Sequence, residues 1–435
     1  MQSPVGDRSA PGAELPAAPW NLYSDRKRYW LLGILWLVSC SNYLDRNVIS
    51  VLLEPIKQEF KVSDTLLGLL GGLAFALFYA TLGIPVARWA DRGNRRTIIT
   101  AALTVWSCMT ALCGMAHTFV QLLLARVGVG AGEAGAISPA QSLIVDYFPP
   151  ERRATAIGIF TSAAMAGYLL GFTGGGWLAS TYGWRVTFLW VGLPGLVLAL
   201  LVRMFLAEPR ITLGFPAQAR HEPLSSTLAL LWNKRSYRLG VMGCCAYFFM
   251  AYGALIFVPS FLIRVQHLDL KTVSVAYGGV SAIASLAGTL GGGWLADRLA
   301  RRDVRWLAWI PAIACAIAGP LEVLFFAVDD FRLILVIGFV NSALLSGGLP
   351  PVFAAIHAVC GSLRRATAIS LLFFAASLFG NGLGPLVAGA LSDALSALYG
   401  ADGLRYSLQL LMSVLIVTAA LFFGFGRAMP SDLES

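Results

Sequence analysis

Twelve apolar runs, each about as long as a bilayer is thick, leave this chain few ways to fold. They lie near residues 30–53, 65–90, 97–116, 119–147, 153–180 and 186–206, and then near 239–263, 273–296, 306–328, 332–358, 366–394 and 405–427. Roughly 20 helical residues cross the hydrocarbon of a membrane. Backbone in lipid must satisfy its hydrogen bonds within each segment or in a closed barrel. The strict alternation that barrel strands need is absent, so the runs predict twelve helices in an all-α membrane protein. Charged residues make up only 13% of the chain, against about 25% in soluble domains, which excludes a soluble enzyme or binding module.

The runs divide into two sets of six. Residues 1–29, rich in Pro, Ala and charge and without the apolar stretch of a cleavable signal, are expected as a disordered cytoplasmic tail. An N-terminal six-helix bundle over 30–206, a cytoplasmic linker over 207–238, a C-terminal bundle over 239–427 and a short cytoplasmic tail over 428–435 follow. The halves repeat each other. Arg152-Arg153-Ala154-Thr155-Ala156-Ile157 recurs unchanged as Arg364-Arg365-Ala366-Thr367-Ala368-Ile369, 212 positions later. Parallel repeats about an axis along the membrane normal are a transporter architecture, with substrate between the halves near mid-membrane. Helices 1, 4, 7 and 10 are expected to line that site.

Basic residues set the orientation. With a cytoplasmic N-terminus, inside segments hold 23 of the 32 lysines and arginines, whereas outside connections hold Lys57, Lys61, Arg185, Arg264, Lys271, Arg332 and Arg405. This is the positive-inside pattern, and it places both termini in the cytoplasm of a cell with the chain in its inner membrane. It also accounts for the net charge of +9 without nucleic acid, because the loops face anionic lipid.

Four charges fall inside spans. Asp45 and Arg46 lie in the first run, Arg126 and Glu133 in the fourth. A charge in hydrocarbon costs about 3 kcal/mol or more, and such residues persist where they face protein or water and have partners. Arg126 and Glu133 are two turns apart and share a helix face. At 1.5 Å per residue, Asp45 lies about 22 Å up from the inside and Glu133 about 21 Å down from the outside. The four groups sum to zero charge and predict one buried cluster that handles protons and substrate. The seven cysteines and four histidines show no metal-ligand or disulfide spacing. No cofactor is expected, with the proton as coupling ion. No nucleophile, metal set or phosphate-binding loop appears in its required context, so the chain is not expected to be an enzyme. Asn42, Tyr43, Tyr247, Asn341 and Asn381 are candidates to line the cavity.

The second run ends Trp89-Ala90-Asp91-Arg92-Gly93-Asn94-Arg95-Arg96, and the eighth ends Trp294-Leu295-Ala296-Asp297-Arg298-Leu299-Ala300-Arg301-Arg302. Each opens Asp-Arg-x-x-Arg-Arg, which resembles the duplicated signature of the major facilitator superfamily, although Ala87 and Asn94 stand where that family usually has glycine. A carboxylate favours a helix N-terminus and nearby arginines. Asp91 is therefore expected to latch onto the eleventh helix beside Arg364, and Asp297 onto the fifth beside Arg152. With Arg92, Arg95, Arg96, Arg153, Arg298, Arg301, Arg302 and Arg365, they would form a cytoplasmic gate. Asn42-Tyr43-Leu44-Asp45-Arg46, taken with Gly128-Val129-Gly130-Ala131-Gly132-Glu133-Ala134, resembles the spinster branch of that superfamily. The resemblance implies a proton-linked or facilitated exporter of lysophospholipids or sphingoid lipids, and the chain is expected to work as a monomer, by alternating access, among membrane lipids. Branches that carry small organic anions such as sugar acids share parts of the pattern and imply the alternative substrate; a receptor of the same fold is the other alternative.

Overall fold

The computed structural model describes residues 19–209 and 230–433. Its elements are the twelve expected helices: α1 Asp25–Phe60, α2 over 64–92, α3 Arg95–Gly114, α4 Phe119–Tyr147, α5 Pro150–Tyr182 and α6 Trp184–Phe205 form one half. The other half comprises α7 Arg235–Arg264, α8 Leu270–Ala300, α9 Trp306–Ala327, α10 Phe331–Val359, α11 over 361–399 and α12 over 403–432. Helix ends follow local chemistry. Ser63 accepts from the Leu66 amide at the start of α2, Thr118 and Gln121 make a capping box on α4, and Lys61, at φ 52°, stops α1.

Three sequence boundaries are corrected. Of the tail expected disordered over 1–29, residues 19–29 are ordered: Pro19–Leu22 form a 3-10 turn and α1 already begins at Asp25. Aromatic anchoring explains it, because the buried Tyr23 ring meets Tyr147 edge-on at 5.5 Å and Arg28 donates to the Trp20 carbonyl at 2.8 Å. The linker expected over 207–238 yields α7 from Arg235 onward; its residues 210–229 lie outside the described part. The C-terminal tail expected from 428 is instead the end of α12, held to Asp432 because that carboxylate accepts from the Ser236 amide at 2.8 Å.

Within the first half α1 packs on α5, and α3 on α4 and α6; within the second, α8 packs on α10, and α9 on α10 and α12. The halves meet along α1 and α7, α2 and α11, and α5 and α8. The last four, helices 2, 5, 8 and 11, each contain a π-helical stretch, Leu69–Leu73, Leu170–Gly174, Val273–Tyr277 and Ala376–Leu383. Such bulges cluster at functional positions, and here they recur in the helices that cross the seam between the halves.

At the face opposite the termini the seam is clamped. Arg264 of α7 donates to Asp64 at 2.7 and 3.0 Å and to Glu54 at 2.9 Å. Lys57 reaches Asp64 at 2.6 Å, and Ser392 of α11 donates to the same carboxylate at 2.6 Å. Asp393 caps the start of α2, accepting from the Asp64 and Thr65 amides at 2.8 Å each. Gly68 and Gly389 permit this approach: a Cβ on Gly68 would stand 2.2 Å from the Pro385 carbonyl oxygen, and one on Gly389 2.1 Å from that of Asp64.

Candidate functional site

One turn of α1 presents Asn42, Asp45 and Arg46, and the first segment of α4 presents Arg126 and Glu133. The structure brings all four expected charges together as two crossed pairs. Arg126 Nη1 donates to Asp45 at 3.0 Å, and Arg46 Nε donates to Glu133 at 2.6 Å. Thr110 of α3 donates its hydroxyl to the other Asp45 oxygen, and Asn42 Nδ2 donates to Glu133 at 2.9 Å. Asp45, Arg126 and Glu133 are buried, while the Arg46 side chain keeps 20% exposure. Helix α4 breaks immediately after Glu133, over residues 134–136, and resumes at Ile137. Pro139, which donates no backbone hydrogen bond, helps to keep that ladder open.

An aromatic cradle holds the guanidinium groups. Arg46 lies 4.2 Å from the Tyr79 ring centre and 5.0 Å from that of Phe75, and Arg126 lies 5.6 Å from Phe75. Such contacts strengthen when desolvated, to about 2 kcal/mol. The glycines of α4 set the spacing, since a Cβ on Gly130 would meet the Phe75 carbonyl oxygen at 2.5 Å. Several polar atoms have no hydrogen-bond partner among the described residues: Arg46 Nη2, Arg126 Nε, Glu133 Oε1 and Asn42 Oδ1. Buried polar groups are ordinarily paired, so these are places for a ligand or water.

The cluster forms one wall of a cavity of ≈ 290 Å³ between the halves. Tyr43, Arg46, Phe75 and Arg126 line it from one side and Tyr252, Leu255, Ile256 and Asn381 from the other. Helices α1, α4, α7 and α10 contribute as expected, joined by α2, α5, α8 and α11. Of the candidate lining residues, Tyr43 and Asn381 face the cavity. Asn42 stands behind it on Glu133. Tyr247 does not line it, because its hydroxyl is turned to the Leu345 carbonyl at 3.1 Å, and Asn341 is buried within the second half. A polar residue in a span fixes a helix face only after the neighbours of that helix are known.

The gate residues separate. Arg95 is fully buried at the face carrying the termini, bound to Glu208 at 2.5 Å, Asp146 at 2.7 Å and Ser142 at 2.9 Å. Arg153 donates to the Val145 and Phe148 carbonyls at 3.1 Å each. These two brace the first half. Asp297 is exposed and has no ion-pair partner among the described residues, while Arg152 pairs with Asp25 at 3.1 Å. The expected Asp297–Arg152 latch is therefore not made in this conformation. Arg298 lies over the Trp294 ring, Arg301 and Arg302 are exposed, and Arg96 is partly buried. The side chains of Asp91, Arg92, Arg364 and Arg365 lie outside the described residues.

Sequence reasoning missed Thr110, Phe75 and Tyr79 at the site, Asp146 and Glu208 around Arg95, and the clamp formed by Asp64, Arg264 and Asp393. Phe75 and Tyr79 carried a usable signal, an i, i+4 aromatic pair within a span. Arg264 was counted only as an outside loop charge.

Comparison with known proteins agrees with this geometry. The Major Facilitator Superfamily model matches residues 35–325. An "MFS-type efflux pump" of Mycolicibacterium smegmatis is 35% identical over 423 residues, covering 97% of each chain. "Protein spinster homolog 1" of Xenopus tropicalis is 27% identical, covering 94% of this chain and 82% of that one. A crystal structure of a bacterial homologue of the human lysosomal transporter spinster, in an inward-facing and unoccupied conformation, superposes with a TM-score of 0.87 at 31% identity. That match covers 95% of this chain and all of the other. The chain belongs to the Major Facilitator Superfamily, as a spinster-like transporter.

Proposed function

We propose that this transporter moves an amphipathic molecule with an anionic head, of the lysophospholipid or sphingoid-phosphate kind, coupled to protons, with both termini cytoplasmic in an inner membrane. The observation that carries the reading is Arg46. It edges the cavity with Nη2 unmatched among the described residues, while its Nε holds Glu133 and its face rests among aromatic rings. A phosphate or carboxylate takes two parallel N–H donors from a guanidinium. An anionic head on Arg46 would compete with Glu133, whose released carboxylate then takes a proton. Asp45 stands in the same relation to Arg126. The remaining lining, Tyr43, Phe75, Met165, Tyr168, Leu255 and Ile256, suits an apolar body. A sugar acid would use the same arginine but would leave that apolar surface unmatched.

As the halves rock, the arginine–carboxylate distances change and proton affinity changes with them, and a few kcal/mol of difference between states is enough to bias the cycle. In proteoliposomes, Asp45→Asn and Glu133→Gln should each abolish proton-driven flux while keeping fold and expression. Full pH-dependent flux in Asp45→Asn would overturn the coupling. Thermal stabilisation of the purified protein by lysolipids and sphingoid phosphates, but not by sugar acids, is expected if the substrate class is right. Binding without flux would indicate a receptor.

A further inference from the structure

The proton coupling proposed above uses only the first half, yet the second half holds a carboxyl of its own in a span. We propose that Glu322 of α9, together with Asn341 of α10 and Tyr247 of α7, forms a second proton-binding site.

The internal repeat supplies the first argument. Glu322 follows Thr110 by 212 positions, the same offset that relates Arg152 to Arg364 and Phe119 at the start of α4 to Phe331 at the start of α10. Thr110 is the α3 residue that donates to Asp45. Glu322 thus occupies, in the second half, the place from which α3 serves the charged cluster in the first.

Packing register supplies the second. Helices α9 and α10 run antiparallel, and a Cβ on Gly338 would come within 3.3 Å of the Phe325 ring and 3.2 Å of the Tyr277 ring. One on Gly348 would come within 3.2 Å of Pro311. Moving three residues inward along both helices from Phe325 and Gly338 gives Glu322 and Asn341, at one level. A further turn along α10 is Leu345, whose carbonyl accepts from Tyr247 at 3.1 Å. Glu322 shares its helix face with Pro311, Cys315, Ala318 and Phe325, all buried on the inner side of α9.

Asn341 supplies the third. It is 2% exposed, and neither its Nδ2 nor its Oδ1 has a hydrogen-bond partner among the described residues. An amide offers both a donor and an acceptor, so Asn341 can donate to a carboxylate and accept from a carboxylic acid. It suits Glu322 in either protonation state.

The surroundings differ from those of Asp45 and Glu133. Tyr247 from α7 and Tyr277 from α8 are the titratable groups that face the half-buried Glu322. Asn341 from α10 is neutral, and from α12 Gln409 donates to the adjacent Val323 carbonyl at 3.3 Å. Among the described residues no guanidinium or ammonium compensates it. A carboxylate without a cation in apolar surroundings is costly. The proposed site therefore holds the proton on Glu322 in this conformation.

What this proton does in transport rests on the proton-coupled reading, but its binding is measurable without substrate. Infrared spectra of the purified full-length protein in detergent, titrated from about pH 5 to about pH 9, should contain a protonated-carboxyl band that Glu322→Gln removes. Asn341→Ala should keep the band and shift its frequency or midpoint. Asp45→Asn should leave it in place, so that failure of the coupling scheme and failure of this site are read separately. Identical carboxyl bands in wild type and Glu322→Gln would overturn the proposal. Should Glu322→Gln not fold, an unshifted band in Asn341→Ala would overturn it.

Discussion

The two faces of the molecule hold their charges in different ways. Opposite the termini, Glu54, Lys57 and Asp64 of the first half and Arg264 and Asp393 of the second tie α1, α2, α7 and α11 into one network across the seam. At the face carrying the termini, the repeated Asp-Arg-x-x-Arg-Arg segments do not bridge the halves through Asp297, which is exposed, and Arg95 and Arg153 spend their hydrogen bonds within the first half. Among the described residues, the second copy of the motif does not tie the halves in this conformation. The clamp consists of unrepeated residues at helix ends, whereas Arg95 of the first motif copy braces a bundle and Asp297, Arg301 and Arg302 of the second are exposed.

The largest expected effect comes from cutting the clamp. Arg264→Ala leaves the buried Asp64 with Lys57 and the Ser392 hydroxyl as its remaining side-chain partners. Breaking a buried pair costs about 3–5 kcal/mol, reduced here because Arg264 keeps 17% exposure. A change of about 2 kcal/mol would already shift the conformational equilibrium roughly 30-fold. Spin labels across this face should show a new long-distance population in Arg264→Ala and none in Asp297→Asn. Equal distributions in both variants would dissolve the contrast between the faces.

The second effect sharpens the difference between the motif copies. Arg95→Gln strips a fully buried guanidinium from Glu208 and Asp146, and should destabilise the fold by about 3 kcal/mol. Arg301→Gln alters an exposed side chain and should stay within about 0.5 kcal/mol. Unfolding of the two variants in matched detergent tests this; equal losses would mean that the copies are equivalent after all.

The smallest effect is a control on the clamped face. Asp269 caps α8, accepting from the Thr272 hydroxyl at 2.6 Å and its amide at 2.9 Å, and these bonds hold the carboxyl below its ordinary range. A lowered folded-state value means that the contribution is complete above the unfolded carboxylate value of about 3.9 and is lost as pH falls through the folded one. Asp269→Ala should cost about 1 kcal/mol and Asp269→Asn much less, with the gap between wild type and Asp269→Asn closing in acid. A gap unchanged by acid would show that charge is not what the cap contributes.

Much of this was legible in residue order. Lengths of apolar runs marked the helices because lipid offers the backbone no partners, and the repeat of Arg152–Ile157 at 364–369 announced two halves. Asp45, Arg46, Arg126 and Glu133 stood out because charge in a span is rare. Their crossed pairing did not, since either arginine might equally have met either carboxylate. Tyr247 and Asn341 were placed in the cavity on residue type alone, and the packing of α7 and α10 turned them elsewhere.

What the sequence by itself determined is therefore everything governed by local hydrophobicity, spacing and repetition: twelve spans, two bundles and a neutral set of four buried charges. The tertiary structure alone decided which guanidinium holds which carboxylate, which face of each helix meets the cavity, and that Arg264, read from the sequence as a loop charge, clamps two helices of the other half. Those outcomes depend on distances between residues up to 329 positions apart, as between Asp64 and Asp393. Such distances follow from how helices pack around shared glycines and aromatic rings, and no local pattern in the chain encodes them.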